Sequence, residues 1–167
     1  MRQSVRVHMV IDDLAGTEIA EFLSGHLADM RAQSPPESTH VLDLDGLRGP
    51  AVTVWTVRDD DGTVLGCGAL KELGPDGGEI KSMRTAPAAR GRGVAAGLLV
   101  HLIGVARGRG YRTLHLETGS MEFFAPARRL YARHGFTPCP PFADYPDDPN
   151  SVHVVLVLDP SRSAGRV

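Results

Sequence analysis

Two kinds of apolar periodicity divide the chain into predicted strands and helices. Short runs alternate apolar and polar residues, as half-buried strands do, whereas longer runs repeat apolar residues every three or four positions, as amphipathic helices do. The predicted strands are 5–10, 51–58, 63–73, 79–85, 111–118, 136–139 and 152–158. The predicted helices are 17–32, a second that begins within 91–94 and ends near 109, and a third that begins at Pro126, with a short helical turn within 42–47.

The turns between these elements predict how the strands pair. Asp59 to Gly62 is an Asp-rich turn that ends in Gly, typical of a hairpin, and a second turn follows at 75–78, so three antiparallel strands come in succession. The helix after strand 79–85 then leads to strand 111–118, and a strand–helix–strand unit is a right-handed crossover between parallel strands. We therefore predict an α/β (α+β) fold with a single mixed, mostly antiparallel sheet of about seven strands flanked by helices.

Composition narrows the class of protein. The chain has 167 residues, 42% of them hydrophobic and 23% charged, which suits one globular domain at 1–160 and a disordered tail at 161–167. It contains no apolar run of eighteen residues and its start does not resemble a signal peptide, so we expect a cytoplasmic protein without a membrane anchor. Cys67 and Cys139 are too few for a disulfide framework or a zinc site, and we predict no metal.

The net charge of −2 hides an uneven distribution. Residues 81–133 contain ten Lys or Arg and two acids, a balance of +8, whereas the rest of the chain contains eight basic and eighteen acidic residues, a balance of −10. A basic middle suits a polyanionic ligand, and the acidic remainder argues against a nucleic-acid surface. A solvated basic face is the alternative.

The start of the second helix is the strongest candidate for a binding site. The segment 90–93 reads Arg-Gly-Arg-Gly, and no Ser, Thr, Asp or Asn follows to cap the first turn of the helix. Glycines allow a ligand to approach the backbone, and free amides with two arginines suit a pyrophosphate. The spacing fits neither a dinucleotide fingerprint nor a P-loop. The alternative is a solvated basic turn.

Two blocks together resemble a known family. Arg90, Gly93 and Ala95 form the pattern Arg-x-x-Gly-x-Ala, and residues 130–136 read Leu-Tyr-Ala-Arg-His-Gly-Phe. In this order and at this separation they resemble the coenzyme A loop and the LYxxxGF segment of the Gcn5-related N-acetyltransferase (GNAT) family. The segments 117–120, 124–128, 141–145 and 148–151 are similar to those of YsnE-type bacterial acetyltransferases. The resemblance covers nearly the whole chain and implies the GNAT fold.

The resemblance implies acetyl-CoA as the co-substrate and indicates where it binds. The strand residues Met83, Arg84 and Thr85 would bond the pantetheine arm through their backbone. The pyrophosphate would be held by the amides of Arg90, Gly91, Arg92, Gly93, Val94, Ala95 and Ala96. Phe124 stands where many relatives have an asparagine that contacts the cofactor arm, so that contact must come from elsewhere.

The resemblance also suggests catalytic residues. Tyr131 lies where the family has its general acid, and a protonated phenol suits a departing thiolate; a core tyrosine beside Leu130 is the alternative. Glu79 lies where many members have a base, on a strand face that we expect it to share with Lys81, Met83 and Thr85; a solvent-held glutamate is the alternative. Three other residues compete for the role of base: Glu117, Asp144 and His40.

The predicted function is an acetyl-CoA-dependent N-acetyltransferase that acts on a primary amine of a small molecule or peptide. A site rimmed by Glu79, Glu117 and Asp144 would favour a cationic acceptor. A non-catalytic acyl-CoA-binding regulatory module and an O-acyltransferase on the same scaffold are the alternatives. The identity of the acceptor, the acyl chain and the oligomeric state, including a homodimer, stay open.

Overall fold

The computed structural model describes residues 6–38 and 43–158, and it places a seven-stranded sheet between two layers of helix. The strands are β1 (His8–Ile11), β2 (Val52–Arg58), β3 (Val64–Glu72), β4 (Gly77–Thr85), β5 (Thr113–Gly119), β6 (Thr137–Pro138) and β7 (Ser151–Val157). The helices are α1 (Thr17–Gln33), α2 (Leu44–Leu47), α3 (Val94–Gly108) and α4 (Ala125–Arg133), with short 3₁₀ turns at Pro36–Ser38, Pro87–Ala89 and Glu122–Phe124. The predicted tail and His40 lie outside the described residues.

The strand order is β1-β2-β3-β4-β5-β7-β6, and β4–β5 is the parallel pair in it. The other neighbouring pairs are antiparallel. The predicted mixed, mostly antiparallel sheet is therefore confirmed, including the crossover through α3. Each predicted element is present, with bounds that differ from the prediction by one to three residues at most ends.

Each face of the sheet carries its own hydrophobic core. Helices α3 and α4 cover one face, where Leu98, Leu99 and Leu102 pack on the sheet with almost no exposed surface. Helices α1 and α2 cover the first strands on the opposite face through Ile19, Leu23, Leu47 and neighbouring strand residues. Apolar residues at helical spacing on α3 thus reach the buried side that their periodicity predicts.

A β-bulge in β4 changes which of its side chains share a face. Lys81 pairs with Ala69 and Arg84 pairs with Cys67, so two residues of β4 oppose one of β3, and Ser82 has a φ of 56°. Such an insertion reverses the alternation of side chains. Our prediction that Glu79, Lys81, Met83 and Thr85 share a face is therefore wrong. Glu79 and Lys81 lie on the α1 face with Arg84, whereas Met83 packs against the α3 core.

Candidate active site

A cleft opens in the sheet where the parallel pair comes apart. Strands β4 and β5 pair only from Gly77–Thr113 to Ile80–Leu116, and beyond this point the facing edges of the two strands do not pair. A cavity of about 640 Å³ fills the gap and extends from the start of α3 to the C-terminal half of α1. Unpaired strand edges expose backbone donors and acceptors, so this cleft can bind an extended chain through main-chain hydrogen bonds.

One end of the cavity is the N-terminus of α3. Gly91 and Gly93 both have a φ of 79°, which glycine adopts without strain, and no side chain caps the helix. The first amides of a helix have no intrahelical partner and carry its positive dipole end. Because Arg90 also lines the cavity and this first turn contains no acidic residue, this end fits a pyrophosphate.

Nine of the ten predicted cofactor-binding residues line this cavity. They are Met83, Arg84, Thr85, Arg90, Gly91, Gly93, Val94, Ala95 and Ala96. Arg92 is exposed and does not line it. Met83 to Thr85 follow the end of the β4–β5 pairing, so their backbone faces the cleft.

Tyr131 lies in α4 on the wall of the same cavity. It is 7% exposed, and its ring packs edge-on against Phe136 with ring centres 6.0 Å apart. Burial, helped by the negative charge of Glu117, raises the pKa of Tyr131 to about 12. The phenol is therefore protonated at neutral pH, and the residue both lines the cavity and belongs to the core.

The segment between β5 and α4 is fixed by close packing. Phe124 lines the cavity and its ring contacts Gly119 so closely that a side chain at residue 119 would overlap it. Arg128 donates from Nη1 to the carbonyl oxygens of Gly119 and Met121, both at 2.8 Å. Phe124 therefore contributes an apolar ring where the family pattern has an amide.

Glu79 forms a buried polar cluster on the other side of the cleft. Its side chain is 3% exposed and pairs with the ammonium of Lys81, whose Nζ lies 3.2 Å from Glu79 Oε2. The hydroxyl of Tyr145 accepts from Lys81 at 2.7 Å and donates to Glu79 Oε2. Glu79 is therefore not held by solvent, and its charge is balanced inside the protein as a buried ion requires.

Tyr145 reaches this cluster from the Pro-rich loop between β6 and β7. Phe142 anchors the loop, since its ring lies 4.6 Å from His115, 5.5 Å from His153 and 5.1 Å from Tyr145. Burial, together with the adjacent carboxylate of Glu79, raises the pKa of the Tyr145 phenol. The same sheet face carries His115, whose pKa is lowered by burial. The loop is therefore a wall of the site.

The alternative bases have different positions. Glu117 lines the cavity at the end of β5, whereas Asp144 is exposed and does not line it. His40 falls outside the residues that the structure describes. The predicted acidic rim is thus only partly assembled, since Glu79 and Glu117 reach the cavity together with the cations of Lys81 and Arg84.

Helix α1 supplies a third group of polar residues that the sequence did not predict. Arg84 donates from Nη1 to Asp29 Oδ2 at 2.6 Å, and its guanidinium lies 5.3 Å from the centre of the Phe22 ring. His26 is buried, and burial together with Arg84 lowers its pKa to about 4. An amphipathic helix contributes polar residues to solvent far more often than to a site, so its sequence carried no signal for this role.

The described residues contain neither a metal-binding cluster nor a membrane-spanning helix. Within 6–38 and 43–158, no group of three or more His, Cys, Asp or Glu side chains is arranged to hold a metal ion. In the same part of the chain, no helix combines the length and apolar character that crossing a membrane demands.

The sequence and the fold both match known acetyltransferases. The model of the Acetyltransferase (GNAT) family matches residues 19–136. The uncharacterized N-acetyltransferase YsnE of Bacillus subtilis (strain 168) is 52% identical over 91% of this chain and 100% of its own length. The chain belongs to the GNAT family.

The relatives of this GNAT protein include a second uncharacterized N-acetyltransferase and solved structures. YedL of Escherichia coli (strain K12) is 46% identical over 88% of this chain and 92% of its own. The crystal structure of a putative acyl-CoA N-acyltransferase from Klebsiella pneumoniae is 29% identical with a TM-score of 0.74, covering 92% of this chain and 98% of that one. A GNAT acetyltransferase from Elizabethkingia anophelis, solved with acetyl-CoA bound, shares the fold at 17% identity and a TM-score of 0.64, over 91% and 98% of the two chains.

These matches confirm the predicted family, fold and class of activity. The protein is an acetyltransferase of this family.

Proposed function

We propose that this GNAT acetyltransferase transfers the acetyl group of acetyl-CoA to a primary amine of a small molecule or peptide. The observation that carries the proposal is the single cavity that joins the uncapped start of α3 to the buried carboxylate of Glu79. A co-substrate held at one end thereby faces a group that can accept a proton at the other end. Positioning of this kind supplies much of the acceleration in group transfer.

We assign the binding of acetyl-CoA to the residues predicted from the sequence. The amides from Arg90 to Ala96 would hold the pyrophosphate, and the free edge of β4 at Met83, Arg84 and Thr85 would bond the pantetheine arm. The geometry of Gly91 and Gly93 supports this assignment because their open backbone leaves room for an anion. Arg92, which is exposed and does not line the cavity, would contribute only long-range charge.

Glu79 is our candidate for the general base. Lys81 and Tyr145 both contact Oε2 of Glu79, so Oε1 is the oxygen placed to accept a proton from the amine or from an intervening water. Burial keeps bulk water from competing, and the fixed position of the carboxylate supports proton transfer. Lys81 and Tyr145 act as positioning residues because they hold the carboxylate rather than the reactants.

Tyr131 is our candidate for the general acid. Acetyl-CoA supplies a thioester, and its transfer leaves a thiolate that needs a proton. Tyr131 lies across the cleft from Glu79 and lines the same cavity. Because its pKa is raised to about 12, the phenol keeps its proton at neutral pH and can donate a hydrogen bond to the thiolate as negative charge develops on the sulfur.

The function is tested by following thiol release from acetyl-CoA with a panel of primary amines, with mass spectrometry of the products. Acetylated amines that form at the rate of thiol release are the expected result. Binding of acetyl-CoA without any acetylated product would favour a regulatory acyl-CoA-binding module, and ester products would favour an O-acyltransferase. A cytoplasmic location and a homodimer stay predictions. Cell fractionation tests the first, and light scattering of the purified protein tests the second.

A further inference from the structure

Three of the side chains that line the cavity each carry a buried polar atom that has no partner among the described residues. These atoms are Nε of Arg84, Oγ of Ser82 and Nδ1 of His26, and all three side chains line the cavity. His26 is only 6% exposed. A buried polar atom without a partner costs free energy, so three such atoms in the lining of one cavity indicate a place where a polar ligand binds.

Arg84 determines the charge that such a ligand would carry. Its side chain is 13% exposed, and the ion pair with Asp29 uses Nη1. The guanidinium has five N–H donors in a fixed plane, so it can pair with Asp29 and still donate from Nε. The hydroxyl of Ser82 can donate a second hydrogen bond. A carboxylate is a small planar anion that accepts hydrogen bonds of this kind.

Lys81, the other cation on this face of β4, is not equally open to a ligand. Its ammonium contacts Glu79 at 3.2 Å and Tyr145 at 2.7 Å, and its side chain is 8% exposed. The two cations therefore have different roles, with Lys81 holding the proposed base and Arg84 retaining at Nε a donor that has no partner among the described residues.

The charged side chains that line the cavity around Glu79 and Arg84 nearly balance one another. Glu79 pairs with Lys81 and Asp29 pairs with Arg84, while Glu117 adds a further carboxylate on the wall. Burial and Arg84 keep His26 neutral at pH 7, so it does not add positive charge. Such a surface matches a ligand with both signs of charge better than it matches a polycation.

We propose that the acceptor is a zwitterion, an amine that also carries a carboxylate, and that this carboxylate binds Nε of Arg84 and Oγ of Ser82. The inference rests on the proposed acetylation of an amine and specifies its substrate class. The amine of the acceptor is then directed toward the cleft between β4 and β5, where Glu79 lies.

Matched acceptors test the inference. Each of several amino acids is compared with its primary carboxamide and with the amine that lacks the carboxyl group, and kcat/KM is measured by thiol release. The wild-type enzyme is expected to prefer the free acid by roughly 10- to 100-fold, because a guanidinium binds a charged carboxylate more strongly than it binds the neutral oxygen of an amide. The amide is a more stringent comparison than the amine without a carboxyl group. Its amino group is less basic, so a larger fraction is in the neutral, nucleophilic form, and this difference favours the amide over the acid.

Variants of Arg84 test whether this residue causes the preference for the free acid. In Arg84→Gln the ratio of kcat/KM for acid over amide should fall to about one, and Arg84→Lys should give an intermediate ratio because it retains the charge but not the planar donors. Ser82→Ala should lower the ratio less. Arg107→Gln, an exposed arginine at the end of α3, is the matched control and should keep the wild-type ratio. The ratio is taken within each variant, so a general loss of folding or cofactor binding cancels.

The outcomes separate this inference from the proposed function. If the amides or the amines without a carboxyl group have the same kcat/KM as the acids, the carboxylate site is overturned. The proposed transfer to an amine is not affected by that result. An unchanged ratio in Arg84→Gln and Ser82→Ala would also overturn it. Transfer to no amine in either series would overturn both proposals.

Discussion

The two ends of the cavity are built in different ways. The end at α3 is made of backbone from one continuous segment, Arg90 to Ala96, whose glycines have positive φ and whose helix start has no cap. The opposite end is made of side chains from α1, β4, β5 and the loop before β7, including Arg84, Glu79 and Tyr145. A backbone site leaves a mark in the local sequence, because glycine and missing caps are required, whereas a side-chain site depends on which strands meet.

The largest expected effect is at Glu79. Glu79→Gln should lower kcat about 1,000-fold and change the pH profile of kcat, because a general base contributes on the order of 10²–10⁴ in rate. Steady-state kinetics from pH 5 to 9 would measure this. The variant also removes the carboxylate that pairs with the buried ammonium of Lys81, which can cost about 3–5 kcal/mol of stability.

A double variant separates these two consequences of the Glu79 change. Glu79→Gln with Lys81→Met removes both charges, so thermal unfolding should recover toward the wild-type value while kcat stays low. A folded double variant with wild-type turnover and an unchanged pH profile would eliminate Glu79 as the base and reduce the cluster to a structural role.

The next effect concerns stability at the α1 side. His26 has a pKa of about 4 in the folded protein and 6.5 as its ordinary value. As the pH falls from 6.5 to 4, the unfolded chain binds a proton that the folded protein does not, so stability present above pH 6.5 is lost through this window. Wild-type protein should lose about 3 kcal/mol more than His26→Gln between pH 7 and pH 4. Urea unfolding at both pH values measures the difference, and equal losses would show that His26 is accessible to protons in the folded state.

A variant of Tyr131 tests the proposed general acid on the wall of the cavity. Tyr131→Phe keeps the packing against Phe136 and should lower kcat about a hundredfold, since a positioned acid is lost. Because the pKa of Tyr131 is about 12, the pH profile of the wild-type enzyme below pH 10 should keep its shape in the variant. Full turnover in Tyr131→Phe would leave the tyrosine a purely structural role.

The smallest effect compares two arginines of the glycine-rich segment. Arg90 lines the cavity and Arg92 does not, although both are exposed and two residues apart. Arg90→Gln should weaken acetyl-CoA binding about fivefold, as expected for loss of one exposed charge contact, and Arg92→Gln by less than about twofold. Calorimetry measures both values, and a larger loss in Arg92→Gln would contradict the proposed direction of the two side chains.

Much of the fold and one end of the site could be predicted from the sequence. The crossover and the parallel pair followed from the order of elements, and nine of ten proposed cofactor residues lie on the cavity. The bulge at Ser82 could not be predicted, because a serine with positive φ has no local signal and depends on the register with β3. That bulge is why Arg84, not Met83, faces α1.

The helices, the strands and the uncapped, glycine-rich start of α3 could be read from the chain alone, since they depend on residues close together in sequence. The contact of Tyr145 with Glu79, 66 positions earlier, and that of Arg84 with Asp29, 55 positions earlier, exist only in the folded protein. A cluster of side chains such as these depends on strand register and on how the loops are anchored. Both are set by packing across the whole sheet, and neither leaves a pattern in any single stretch of sequence.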